Sequence, residues 1–96
     1  MKAARWLRRA LLDLEDAYSY VAADNPVAAR RLVEQIEEGV VQLSRHPKLG
    51  RAGRVPGTRE LVMAGTPFLV IYQLEADQTV ILTVLHGARR WPRGNS

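Results

Sequence analysis

The chain has no cysteine among its 96 residues. Disulfides, thiolate nucleophiles and Cys-based metal sites are therefore excluded, and a reducing compartment suits the composition. No apolar run approaches the roughly 20 residues that a membrane-spanning helix needs. The basic N-terminus runs into Asp13, Glu15 and Asp16 rather than into the apolar stretch of a signal peptide, so the expected location is the cytoplasm. Histidine is scarce: His46 and His86 lie forty positions apart, and without cysteine that spacing supports no metal site. The glycines after Leu49 lead into strand-like sequence, so no Gly-rich phosphate loop opens a helix. No Ser/His/Asp order, internal repeat or low-complexity segment stands out. No cofactor is expected.

What is present describes a folded chain. An apolar fraction of 47% with 25% charged residues is ordinary for a globular protein, and the length suits one domain over residues 1–96. The net charge of +4 is unevenly spread. Arg45, Lys48, Arg51, Arg54 and Arg59 follow one another with no acid between them, and Arg89, Arg90 and Arg93 add to the tail. Most acids lie in the first half, at Asp13, Glu15, Asp16, Asp24, Glu34, Glu37 and Glu38. Such polarity gives a basic face suited to nucleic acid or an acidic protein; a loop whose arginines serve solubility is the plainer reading.

The apolar period divides the chain. Ala3 to Leu7 is compatible with a short first strand. From about Arg9 to Ala23, Leu11, Leu14, Ala17, Tyr18 and Val21 recur at helical spacing, although no good N-cap precedes them. Asp24-Asn25-Pro26 ends this helix and starts another, with Asn25 as cap and Pro26 in the first turn. Ala29, Leu32, Val33, Ile36, Val40 and Leu43 form the stripe of the second helix, which runs to about Ser44; His46-Pro47 closes it. Two amphipathic helices so closely linked should form an antiparallel hairpin. Gly50, Gly53, Pro56 and Gly57 mark a loop. Glu60 to Met63, Phe68 to Leu74 and Thr79 to Leu85 then read as strands separated by hairpin-length turns. The expectation is an α+β domain of order β-α-α-β-β-β, a helical hairpin on a small antiparallel sheet.

Both faces of that sheet are apolar. Phe68, Val70 and Tyr72 share one face, with Leu69, Ile71 and Leu74 largely on the other; Val80, Leu82 and Val84 oppose Ile81 and Leu85. Two helices cover one face, so the other marks a partner site, a dimer surface or a shifted register. Chemistry concentrates beyond the last strand, in His86-Gly87-Ala88-Arg89-Arg90-Trp91-Pro92. Guanidinium groups suit planar anions, so Arg89, Arg90 and Trp91, with Lys48, Arg51 and Arg54 of the loop, are candidate target-binding residues. Covering the end of a core is the plainer role for this tail.

These pieces resemble the RelE/ParE superfamily of toxins from bacterial type II toxin–antitoxin pairs. The likeness runs through Leu11 to Asn25, Ala28 to Leu43, the loop Pro47-Lys48-Leu49-Gly50-Arg51 with Val55 to Leu61, the strand Phe68 to Tyr72, and Val84 to Pro92. It implies a helical hairpin on a small sheet, a cognate antitoxin that wraps the toxin in a hetero-oligomer, and growth arrest by the free toxin. RelE-like members cut messenger RNA on the ribosome with cations and a base converging on one phosphate. The positions of their two catalytic lysines fall on Glu60 and Val62, and that of a strand arginine on Leu69. Arg89 matches a C-terminal arginine, but the aromatic base beyond it falls near Asn95. The resemblance thus implies the ParE-like branch, which poisons DNA gyrase without catalysis, the basic face meeting gyrase or nucleic acid. The alternatives are a ribonuclease with a shifted set, Arg54, Arg59, His86 and Arg89, and a non-toxic basic binding module.

Overall fold

The computed structural model describes residues 3–87 and 91. The chain runs β1 (Arg5–Trp6), α1 (Arg8–Ala22), α2 (Pro26–Arg45), β2 (Arg51–Ala52), β3 (Thr58–Val62), β4 (Phe68–Glu75) and β5 (Gln78–His86). Both helices lie within about a residue of their expected limits. Helix α1 has no side-chain N-cap and no acid in its first turn. Its start is held by the sheet instead: Leu7 N–H donates to the Ile81 carbonyl at 3.0 Å, and the Leu7 carbonyl accepts the Leu11 N–H at 3.1 Å. Helix α2 begins by side-chain chemistry, with Asn25 Oδ1 accepting from Ala28 N–H at 3.1 Å and Pro26 in the first turn.

The two helices pack on the sheet through different kinds of stripe. In α2, Ala29, Leu32, Ile36, Val40 and Leu43 are buried, as their spacing predicts. In α1 the buried residues are Ala10, Asp13 and Ala17, while Leu11 and Tyr18, expected in the core, are 48% and 37% exposed. The helix is rotated because Asp13 turns inward onto β5. Thr83 Oγ1 donates to Asp13 Oδ2, and Val84 N–H donates to the same oxygen at 3.3 Å. A carboxylate thus closes a backbone donor that β1 is too short to reach, a bond that an apolar-periodicity argument cannot see.

The sheet has the order β1-β5-β4-β3-β2. It is mixed rather than wholly antiparallel, because β1 pairs parallel with β5 through Arg5–Val80 and Trp6–Ile81. The loop expected after α2 contributes the additional two-residue strand β2, paired antiparallel with β3. A bulge corrects the expected facing of β5. Ile71 pairs with Thr83 and Tyr72 with Ile81, so Leu82 is the extra residue. The parity of β5 shifts there, placing Ile81 and Val84 together under the helices with Phe68, Val70 and Tyr72. On the opposite face Leu69, Ile71 and Leu85 form a second buried cluster, against which Leu82 and Trp91 pack. Leu74, expected on that face, is exposed.

Candidate functional site

The basic loop after α2 is braced from three neighbouring side chains. Tyr72 is fully buried on β4, and its hydroxyl donates to the Pro47 carbonyl and accepts from Gly50 N–H, both at 2.8 Å. Burial raises the phenol above its ordinary pKa, so the hydroxyl remains a donor into alkaline solution. Position 50 must be glycine, since a Cβ there would lie 2.7 Å from the Tyr72 ring and 2.9 Å from the Glu60 carbonyl oxygen. Arg59 Nη1 donates to the carbonyls of Gly50 at 2.6 Å and Lys48 at 3.4 Å. This arginine turns Nη1 to the loop's own backbone.

Glu60 is the third brace. Its side chain is 3% exposed, and it accepts from Arg51 Nη2 at 3.1 Å, Arg54 Nε at 2.9 Å, Arg54 Nη2 at 3.4 Å and the Arg54 backbone N–H at 3.0 Å. The Arg54 side-chain bond is the main reason its pKa falls to about 2; burial alone would raise it, and the Arg54 N–H and Arg51 add to the lowering. The loop that looks purely cationic in sequence therefore carries a buried anion. Arg45 and Lys48 have no ion-pair partner among the described residues.

The other singled-out residues sit elsewhere. His86 ends β5 and meets Phe68 edge-on, with ring centroids 5.5 Å apart. It lines a groove of about 250 Å³ with Asp13, Asp16, Tyr20, Phe68 and Val84. Phe68 pairs with His86 and Tyr72 with Arg59, so His86 and Arg59 are four residues apart along β4, roughly 13 Å at strand spacing. Arg54 is held by Glu60 and Arg59 by the Lys48 and Gly50 carbonyls, Arg59 and Glu60 being successive residues of β3 that face opposite ways, and His86 does not converge with them. Arg89, Arg90 and Asn95 lie outside the described residues. Leu69, where a nuclease would need an arginine, is 5% exposed within the second apolar cluster, and Val62 is 50% exposed. His46 is the C-cap of α2. The described residues contain no group of three or more metal-ligating side chains, and no helix among them is long and apolar enough to cross a membrane.

The structural roles of three residues that organise this geometry are not those expected from the sequence. Asp13 stands at the buried helical spacing of Ala10 and Ala17, an acid on an inward stripe that could have been noticed. Glu60 is the sole acid from residue 39 to residue 74, so it was the natural counterion for the arginine run. The hydroxyl role of Tyr72 left no signal beyond an aromatic in an apolar strand.

A helical hairpin on a five-stranded mixed sheet is the α+β fold of a ParE-type toxin. The sequence matches the family described as "ParE toxin of type II toxin-antitoxin system, parDE" over residues 4–91. It is similar to a protein of Sinorhizobium fredii (strain NBRC 101917 / NGR234) named "Putative toxin Y4kP", 41% identical over 92 residues, covering 96% of this chain and 95% of that protein. Among solved structures it superposes on a chain of the "Chromosomal ParDE TA system from P. aeruginosa" with a TM-score of 0.77 and 30% identity, covering 90% of this chain and 96% of that one. The chain belongs to the ParE toxin family of type II toxin–antitoxin systems.

Proposed function

We propose that this toxin acts in the cytoplasm as a binding inhibitor of DNA gyrase and is neutralised by a cognate antitoxin, with residues 1–96 as one working domain. The observation that carries this reading is Glu60. At a position where ribosome-dependent relatives are expected to place a catalytic lysine, this chain has a buried carboxylate held ionised by Arg51 and Arg54. A transition state gathering negative charge on a phosphate needs donors and cations there; an ionised carboxylate opposes it. Val62 supplies no charge at the second lysine position, and Leu69 supplies none at that of the strand arginine. Growth arrest through binding then falls to the tail residues Arg89, Arg90 and Trp91 and the loop residues Lys48, Arg51 and Arg54.

The test is gyrase supercoiling of plasmid DNA with increasing amounts of the purified chain. Loss of supercoiling with accumulation of cleaved DNA is the expected result. Primer extension on messenger RNA from translating ribosomes is the counter-test. Codon-dependent cuts that disappear in His86→Ala would replace the gyrase reading with a nuclease.

A further inference from the structure

The clamp around Glu60 leaves part of each arginine unused. Arg51 engages the carboxylate through Nη2 alone and Arg54 through Nε and Nη2, and their side chains are 61% and 36% exposed. The remaining N–H groups of the two guanidiniums have no partner among the described residues, while the buried carboxylate behind them limits their rotation. A guanidinium held in this way has lost its side-chain freedom before any ligand arrives, which favours planar, bidentate anion recognition. The ligand class follows from the surroundings. From residue 45 to residue 59 there are five cations, no acid and no Phe, Trp or Tyr, and Leu49 is the one large apolar side chain exposed there. Single-strand binders stack bases on aromatic rings, and protein interfaces centre on a cluster of aromatic or apolar anchors rather than on one leucine; a stretch dominated by cations suits the backbone phosphates of a duplex.

We propose that Glu60 positions Arg51 and Arg54 as a preformed fork for the backbone phosphates of duplex DNA. This goes beyond the gyrase reading and is measured without gyrase, so either can fail alone. Glu60 is a positioning residue here, and the sign of its effect separates positioning from simple electrostatics. Deleting an anion from a basic surface raises the positive potential and on Coulomb's law alone tightens DNA binding. If Glu60 sets the fork, Glu60→Gln weakens binding although the net charge becomes more positive.

The experiment is fluorescence anisotropy of a labelled 20-base-pair duplex titrated with the full-length chain over a series of salt concentrations. Arg51→Ala with Arg54→Ala is expected to weaken binding at least about tenfold and to flatten the slope of log K against log salt by about 2. Arg51→Lys with Arg54→Lys keeps both charges and the ion pairs that support folding, yet should weaken binding several-fold because an ammonium cannot form the fork. Thermal melting of each variant accompanies the titration. Unchanged binding in the lysine pair, or tighter binding in Glu60→Gln with the fold intact, would overturn the proposal. Stronger binding to a polyglutamate peptide than to the duplex, lost in the same variants, would reassign the fork to an acidic protein.

Discussion

At the residue scale, two side chains from neighbouring strands decide whether the loop has one shape. Tyr72→Phe removes a hydroxyl that bonds to both Gly50 N–H and the Pro47 carbonyl and leaves a buried donor unpaired. The expected cost is about 2 kcal/mol, a fall in Tm of roughly 10 °C for a domain of this size; a melting curve that matches the parent would refute the brace. Glu60 makes a pH-dependent contribution. Folding lowers its pKa from 4.5 to about 2, so its stabilisation is complete above about pH 4.5 and is lost as pH falls towards 2. Its size is on the order of 2 kcal/mol after discounting for the solvent-facing side of Arg51. Melting of the parent and Glu60→Gln from about pH 6 downward should show a Tm gap that closes through that window. A gap unchanged down to pH 2 would remove Glu60 from the stability account.

At the scale of elements, legibility depended on which force set each one. Helix α2 was readable because burial alone decides its face, and its cap is a local bond between Asn25 and Ala28. Strands β3, β4 and β5 were readable from their apolar runs and short turns. The facing of β5 was not, since the bulge at Leu82 exists only in the pairing with β4. Nor was the rotation of α1, which answers to bonds between Asp13 and residues seventy positions later. The loop's basic character was legible as composition; its internal neutralisation by Glu60 was a three-dimensional fact. A prediction follows for α1. Asp13→Ala unpairs Val84 N–H and Thr83 Oγ1 beside a buried strand, costing about 2–3 kcal/mol. Amide exchange should accelerate most in α1 and along residues 83–86, while α2, held by its own stripe, stays protected; uniform acceleration would mean that Asp13 stabilises the whole domain rather than this edge.

At the scale of the molecule, the second sheet face decides how the tail is to be understood. Leu69, Ile71 and Leu85 are buried there with Trp91 packed against them, so the chain itself covers part of the apolar face that the sequence left open. Burying each such aliphatic side chain is worth about 1.5–3 kcal/mol, and the indole shares in keeping water from them. Trp91 is half-buried, so Trp91→Ala should cost about 1–3 kcal/mol, below the 3–5 of a fully buried aromatic. Arg89→Ala with Arg90→Ala tests a different role: if these guanidiniums contact the target, growth arrest disappears while Tm stays within about 2–4 °C of the parent, the shift that about 0.5 kcal/mol produces in a domain of this size. Trp91→Phe completes the set, keeping an apolar plug over Leu69 while shortening it. Toxicity on induction and Tm are measured for all three variants together. Loss of toxicity in the arginine pair with an unchanged melting curve assigns target contact to the tail, whereas a fully toxic pair limits the segment to covering the sheet and moves target contact to Lys48, Arg51 and Arg54.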